Sequence, residues 1–538
     1  MTSVMPEGAE TYDYIIIGAG SAGCVLANRL SDSGRHKVLL LEAGGPDKNL
    51  WIHIPLGYGK LFKNKNVNWM YQTEPEPELN NRRIFQPRGK VLGGSSSING
   101  LIYLRGQRED FDNWRQLGNP GWGFDDVLPY FKKSEDHQRG ADSYHSTGGG
   151  LSVSYPAPHP LCDAFIHAGM ESGLPLREDF NTGEMEGVGY FPMTTRNGRR
   201  CSAAIAFLRP ALGRANLTVR THALAQKILF EGTRAVGVQY AHAGQVKQAR
   251  AGREVILSGG AINSPQLLQL SGFGPAALLQ RHGIPVIADV PAIGAQLQDH
   301  FQVRMVFKSK QKITINDSYH SLRGRVLMAY DYLVHRSGPL TSAAGYATAF
   351  FKTEPRYSTP DCEVHFILFS TDKMGESLHP FSGFTASVCQ LRPESRGSVQ
   401  IRSANPEDAP EIRVNYLAAP ADQQANVNAL KRLRGIMQAP AMRDYLLAEA
   451  QPGDDVRTDA ELLAYCREAG STIYHPTGTC AMGEGFGSVV SPRLSVHGAS
   501  GLRVVDGSIM PRLISANTNA AIVMIGEKAA DMILADAT

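Results

Sequence analysis

Short apolar runs alternate with stretches of helical periodicity along the first part of the chain. Tyr12-Asp13-Tyr14-Ile15-Ile16-Ile17 is apolar and rich in β-branched residues, as a buried parallel strand is. Cys24 to Leu30 has the helical period, and Lys37-Val38-Leu39-Leu40-Leu41 reads as a second buried strand. A helix begun near Ser202 spans Cys201 to Leu212. Strands are expected at Asn216–Arg220, Ala223–Phe230 and Ala235–Tyr240, then at Glu254–Leu257, which ends in glycines before a helix after Ser264-Pro265. From Phe301 to about Pro452 the pattern changes. Period-two alternation at Glu363–Leu368, Phe384–Leu391 and Ser398–Arg402 predicts an antiparallel sheet with one ligand-facing and one covered side. Helices over Ser321–His335 and Ala421–Gln438 are expected on its back. The chain ends with strand, acid and turn at Gly501–Gly507, then a helix over Ala520–Ala535 with Ile522, Ile525, Ala529, Met532 and Ile533 on one face.

Composition narrows the class. A chain of 538 residues supports two or more domains with substantial cores. With 54 basic against 51 acidic residues the overall charge gives no electrostatic footprint for nucleic acid or an anionic membrane. The seven cysteines are odd in number, scattered and free of CxxC spacing, so neither a metal site nor a disulfide framework is expected. Met1 to Glu10 lacks a basic and an apolar segment of the signal-peptide kind, and no run of 18 apolar residues spans a membrane. A cytoplasmic protein is expected, with peripheral membrane contact left open.

Between the first two strands lies Gly18-Ala19-Gly20-Ser21-Ala22-Gly23, and the second strand ends on Glu42, 24 residues beyond Gly18. This is the spacing of a dinucleotide-binding βαβ unit. Gly18 permits the tight turn, Gly20 lets backbone N–H groups approach a pyrophosphate, and Gly23 lets helix and sheet pack closely. The helix N-terminus offers unpaired donors and partial positive charge to phosphate. Glu42 would accept from ribose hydroxyls, and its charge argues against a 2′-phosphate. By itself the unit leaves NAD and FAD open.

Pro87-Arg88-Gly89-Lys90-Val91-Leu92-Gly93-Gly94-Ser95-Ser96-Ser97-Ile98-Asn99-Gly100-Leu101-Ile102-Tyr103 suits a loop wrapped tightly on a planar ligand and running into a helix from about Ser96. This segment resembles the first signature of the glucose–methanol–choline (GMC) oxidoreductases, whose members bind FAD. Gly260 to Gly274 resembles the second signature, with Phe273 where a smaller aliphatic is usual, and later segments extend the resemblance to almost the whole chain. It implies an α/β FAD-binding, Rossmann-like domain interleaved with an α+β substrate domain built on an antiparallel sheet. The FAD domain would take residues 10–155, 200–300 and 455–538, and the substrate domain 156–199 and 301–454. Trp114, Trp122 and a helix from Asp125 are expected to pack at the domain surface.

The resemblance also assigns roles. FAD would meet Gly18, Gly20, Ser21, Ala22, Gly23, Glu42 and Ala43 at the AMP end, with backbone groups at Ala225 near the adenine. Asn99, Gly100 and Ile102 would lie along the isoalloxazine, Asp506 would help order the pyrophosphate or ribityl region, and Val91, Gly94, Ser95, Gly507, Asn519 and Ala520 would also meet the cofactor. For Asp506 a turn or helix-capping role is the alternative. Some relatives attach flavin through a histidine just before this asparagine; Ile98 stands there, so the FAD is expected to be non-covalent. No metal is implied. Tyr474-His475-Pro476-Thr477-Gly478-Thr479-Cys480 resembles the catalytic segment, with His475 as base taking the hydroxyl proton of an alcohol. Asn519, near the start of the last helix, is its expected partner, holding the hydroxyl and the developing alkoxide; capping the helix is the alternative use. The expected activity is oxidation of a small-molecule alcohol to an aldehyde or ketone, with a quinone or other non-oxygen acceptor. The pattern is closest to choline-, aliphatic-alcohol-, polyethylene-glycol- and sorbose-dehydrogenase-like proteins, and Arg196–Ser202 with Leu208–Leu212 points to the sorbose type. An oxygen-using oxidase would share these residues, and a hydroxynitrile lyase or photodecarboxylase would keep the FAD motifs.

Overall fold

The computed structural model describes residues 10–373 and 375–537; the expectation for Met1 to Ala9 lies outside them. Two seven-stranded sheets organise the chain. The first runs in the order Leu217–Arg220, Val38–Leu41, Glu10–Ile17, Gln245–Leu257, Arg234–His242, Ala223–Glu231, and Leu502–Val504 pairs in parallel with Gln245–Leu257. Its centre is parallel, as the unbroken apolar runs predict, and its last three strands form an antiparallel meander. Gln245–Leu257 serves both parts, so it extends nine residues upstream of the expected Glu254.

The second sheet is antiparallel throughout, in the order Leu446–Gln451, Phe301–Ser309, Gly383–Gln390, Cys362–Ile367, Ala347–Phe351, Gly187–Tyr190, with Ser471–Thr472 added beside Phe301–Ser309. Every residue of Cys362–Ile367 and Gly383–Gln390 is buried. The alternation is nonetheless present: Cys362, Val364 and Phe366 join one apolar cluster, while Glu363 and His365 occupy the other face, which is also enclosed.

Several expectations are corrected. Ser398–Gln400 is not in this sheet but pairs with Glu411–Arg413 in a separate hairpin. The helix expected over Ala421–Gln438 is present as Pro420–Met437 and packs on the sheet, and Pro160–Glu171 joins it there. Leu322–Tyr330 and the π-turn Asp331–His335 after it bury little beyond Met328 and Tyr332 and do not cover it. Trp114 and Trp122 are fully buried rather than superficial, and their indole N–H groups donate to the carbonyls of Arg512 and Pro492. No helix follows Ser96. A single 3-10 turn at Gly94–Ser97 is entered through left-handed Gly93 and Gly94, and the Ser96 and Ser97 hydroxyls bond back to the carbonyls of Gly93 and Leu92. The helix expected after Pro265 begins at Gly260. Proline is tolerated inside it because the Ala261 carbonyl, which a residue at 265 would bond, accepts instead from Thr479 Oγ1 at 2.7 Å.

One buried ionic network ties the strand residue Glu135 to three loop residues, Arg105, His145 and Asp179. Arg105 donates to Glu135 at 2.5 Å, and His145 lies between Glu135 (2.9 Å) and Asp179 (2.6 Å). The carboxylates outweigh the cost of burial and raise His145 to about 9. A raised folded-state value stabilises fully below about 6.5, and that contribution is lost as pH rises through about 9. The melting temperature of the wild type should therefore exceed that of His145→Gln at neutral pH by at least about 2 °C, the gap closing by about pH 10. A pH-independent gap in thermal melts would contradict this.

Candidate active site

Three backbone segments meet in contact too close for side chains. A Cβ on Gly23 would lie 1.9 Å from the Gly18 carbonyl oxygen, one on Gly94 2.7 Å from the Gly20 Cα, and one on Gly18 2.4 Å from the Ser258 carbonyl oxygen. Strand end, helix start and the 87–103 loop thus form one floor, and Gly18 additionally holds φ at +101°. Above it opens a cavity lined by Gly18, Gly20, Ser21, Ala22, Glu42, Ala43, Gly94, Ser95, Ala225, Asp506 and Gly507. The helix Ser21–Ser31 begins there without a side-chain cap, so its first N–H groups face the cavity. The donor set and the glycine floor fit a dinucleotide: helix N-terminus for phosphate, acid at the adjoining strand end for ribose. Glu42 is buried, accepts from the backbone N–H of Ala19 (2.9 Å) and Gly44 (2.8 Å), and burial pushes it up to about 7. Asp506 accepts from Gly260 N–H (2.8 Å), Ser264 Oγ (2.6 Å) and Ser508 N–H (2.8 Å), so it caps the Gly260–Leu270 helix while lining the cavity. Gly23, Val91 and Ala520 do not line it. Gly23 packs on Gly18, Val91 joins a small core with Ile52, Leu61, Val67 and Ile98, and Ala520 is buried in the last helix.

A second cavity adjoins the first, sharing Ser21, Arg88, Ser95, Thr518 and Ile522. Asn99, Gly100, Ile102, His475 and Asn519 line it, under His365 and Ile367 of the antiparallel sheet. Its chemistry is set by a chain of contacts at His475. His300 Nε2 lies 3.0 Å from the Leu391 carbonyl oxygen, which can only accept, so this nitrogen carries the proton. Burial lowers His300 to about 4, leaving the ring neutral and its Nδ1 a bare acceptor. That Nδ1 is 3.0 Å from His475 Nδ1, which therefore donates, leaving His475 Nε2 unprotonated and an acceptor. His475 itself is held well below the ordinary range, first by burial and then by repulsion from His300, His365 and Arg88. The backbone N–H of His475 donates to Asp299 at 2.8 Å. His365, on the wall, is lowered to about 3 by burial, and its Nε2 is 3.4 Å from Glu363, whose carboxyl burial raises well above the usual range.

The expected pairing of His475 with Asn519 is corrected by the geometry. The amide 3.4 Å from His475 Nε2 is that of Asn517, two residues earlier. Asn519 lines the same cavity but accepts from Ser21 Oγ at 2.7 Å, tying the last helix to the glycine loop. Sequence reasoning passed over His300, Asp299 and His365. The first two sit in Gln298-Asp299-His300 just before an alternating strand, a polar triplet where apolar residues would be expected, and that was the signal available.

Comparison with known proteins gives one answer. Residues 12–302 and 393–526 match the N- and C-terminal family models described as GMC oxidoreductase. The alcohol dehydrogenase [acceptor] of Pseudomonas putida is 44% identical over 97% of this chain and 96% of its own. The mitochondrial choline dehydrogenase of Homo sapiens is 41% identical over 99% and 91%. Among solved structures, an Aspergillus oryzae formate oxidase determined for the effect of a mutation on its FAD modification is 27% identical, with a TM-score of 0.92 over 99% of both chains. Since a methyl group at position 23 would collide with the Gly18 carbonyl, Gly23→Ala should purify with a markedly reduced flavin-to-protein absorbance ratio. Gly213→Ala, where an added Cβ meets nothing within 4 Å, should keep the wild-type ratio; equal ratios in both would refute the close-approach role.

Proposed function

The chain belongs to the GMC oxidoreductase family, and on that premise we propose that it oxidises an uncharged alcohol to the aldehyde or ketone with FAD. FAD would be held without a covalent bond, Ile98 offering no nucleophile. A quinone or other non-oxygen acceptor would take the electrons onward, a reading supported by the 44% identity to an alcohol dehydrogenase named for its acceptor. The observation that carries the proposal is the unprotonated Nε2 of His475 on the second cavity, with the Asn517 amide beside it.

Bound FAD supplies the hydride acceptor; the remaining chemistry belongs to the chain. His475 Nε2 takes the hydroxyl proton as the carbon loses its hydride. The imidazolium formed keeps Nδ1–H on His300, whose lone pair stabilises the new charge. Asn517 donates its amide N–H toward the same place, orienting the alcohol and supporting the developing alkoxide. His300 is a positioning residue: without it either nitrogen of His475 could carry the proton. Ser21 and Asn519, bonded to each other, join the two cavities and fix the floor between cofactor and substrate.

Charge selects the substrate. Among the described residues none lining the second cavity is an aspartate or glutamate, while Arg88 lines it with its guanidinium on the carbonyls of Pro87 and Tyr474. A quaternary ammonium would enter beside the half-buried Arg88 cation with no carboxylate on the cavity wall to pair with it, which disfavours its binding. Tyr58, Phe62, Ile102 and Ile367 instead offer apolar wall to a neutral carbon chain.

His475→Ala should slow anaerobic flavin reduction by a good alcohol roughly 10²-fold or more, and an unchanged rate would remove the base assignment. Against choline, its neutral isostere 3,3-dimethylbutan-1-ol should show a kcat/KM higher by roughly 10²-fold, the order expected for burying an unpaired charge. A preference for choline would overturn the charge argument while leaving the base assignment standing.

A further inference from the structure

The densest run of exposed large apolar side chains lies next to the second cavity. In the helix Leu322–Tyr330, Leu322, Val326 and Tyr330 recur at i, i+4 and i+8, and Leu333 continues the row through the π-turn; they are 71, 60, 54 and 69% exposed. Met328 and Tyr332, the two residues by which this segment is buried, face the opposite way. The apolar row is therefore an outer face rather than a seam left over from packing.

Two further observations point to what covers it. Tyr332 Oη contacts the His53 carbonyl at 3.5 Å, which brings the short helix Leu50–His53, with Leu50 65% exposed, alongside. Basic side chains border the face: Arg323, Arg325, Arg336 and Arg199 are exposed, and Asp331 is the one acid between 320 and 338. An outward apolar row rimmed by arginines complements an anionic lipid surface, where the apolar side chains enter the acyl boundary and the guanidinium groups stay among the headgroups. A second protein copy would need this basic rim to face itself.

We propose that this face, Leu322 to Leu333 with Leu50, seats the enzyme peripherally on an anionic bilayer. The consequence follows from chain continuity. Leu50–His53 leads directly to Tyr58 and Phe62, and the Leu322–His335 segment leads to Ala344; all three line the second cavity. Seated this way, the substrate cavity lies beside the bilayer, so that an apolar alcohol or a lipid-dissolved acceptor reaches it without crossing water. This consequence rests on the function proposed above; the docking itself does not.

The test is sedimentation of the FAD-loaded protein with vesicles, without substrate. Binding is expected to vesicles of phosphatidylcholine containing phosphatidylglycerol and to be much weaker on phosphatidylcholine alone. The triple variant L322S/V326S/L333S should lose at least about tenfold in vesicle affinity, and R323E/R325E should lose the phosphatidylglycerol dependence. Both variants should keep wild-type flavin content and activity on a short water-soluble alcohol, which separates lost docking from lost folding. No co-sedimentation, or co-sedimentation undiminished in the triple variant, would overturn the proposal. So would a wild-type dimer in size-exclusion chromatography that the triple variant turns into monomer, since a second copy would then cover the face. If activity were absent while vesicle binding persisted, the functional reading would fail and the docking would stand.

Discussion

The geometry of His475 depends on one zippered crossing. Where the chain leaves the first sheet for the second, residues 297–300 run beside 473–477: Gln298 and Thr477 exchange both backbone hydrogen bonds, and Ile473 N–H donates to the His300 carbonyl. Two consecutive residues of this crossing then fix the histidine twice over. Asp299 takes its backbone N–H, and His300 takes its ring N–H. Asp299 is in turn held by Thr472 Oγ1 (2.6 Å), Gln86 Nε2 (3.2 Å) and the Tyr416 hydroxyl. A buried carboxyl with four donors is immobile, since releasing any one would leave a buried polar group unmatched. The left-handed Tyr474, φ +74°, is retained by the same set of bonds and by Arg88 on its carbonyl.

The first sheet was legible because its signals are local. A parallel strand buried on both faces is an unbroken apolar run, and Tyr12–Ile17, Lys37–Leu41 and Glu254–Leu257 are such runs. Gly18 and Gly23 were legible for a related reason: each answers to a backbone contact too close for a side chain. The second sheet was legible in kind but misread in surroundings. Alternation at Glu363–Leu368 marks two unlike faces, but whether the polar face meets solvent or another layer is decided by chain hundreds of residues away. The same limit applied to Leu322–His335, whose apolar content suggested a cover for the sheet although most of it faces outward.

The partner of His475 was misassigned for a narrower reason. Asn517-Thr518-Asn519 offers two amides at a helix start, and the choice depends on where the first turn points them. Thr518 takes the cap position, Asn519 becomes the first helical residue and turns to Ser21, and Asn517 remains on the incoming chain facing His475. Helix phase settles the matter, and phase to within one residue lies below what periodicity alone resolves. His300 was missed because a histidine that acts through another leaves no motif of its own; only the carbonyl of Leu391 reveals which nitrogen it has to offer.

The electrostatics around His475 constrain the order of events in the proposed reaction. Burial and the neighbouring His300, His365 and Arg88 disfavour the imidazolium, which keeps the base unprotonated at neutral pH but also makes it weak. A weak base cannot hold the proton of an alcohol if the alkoxide stays behind as a separate, unsupported anion. It can do so when the negative charge on oxygen is offset nearby and is consumed as the carbonyl forms. Arg88 on the cavity wall supplies fixed positive charge and the Asn517 amide a directed donor. The same Arg88 that penalises the imidazolium therefore favours the alkoxide, and the two effects oppose each other until both charges appear together. Proton removal and loss of hydride are thereby drawn toward a single event, because either one alone leaves an unpaired charge between Arg88 and the low-basicity His475.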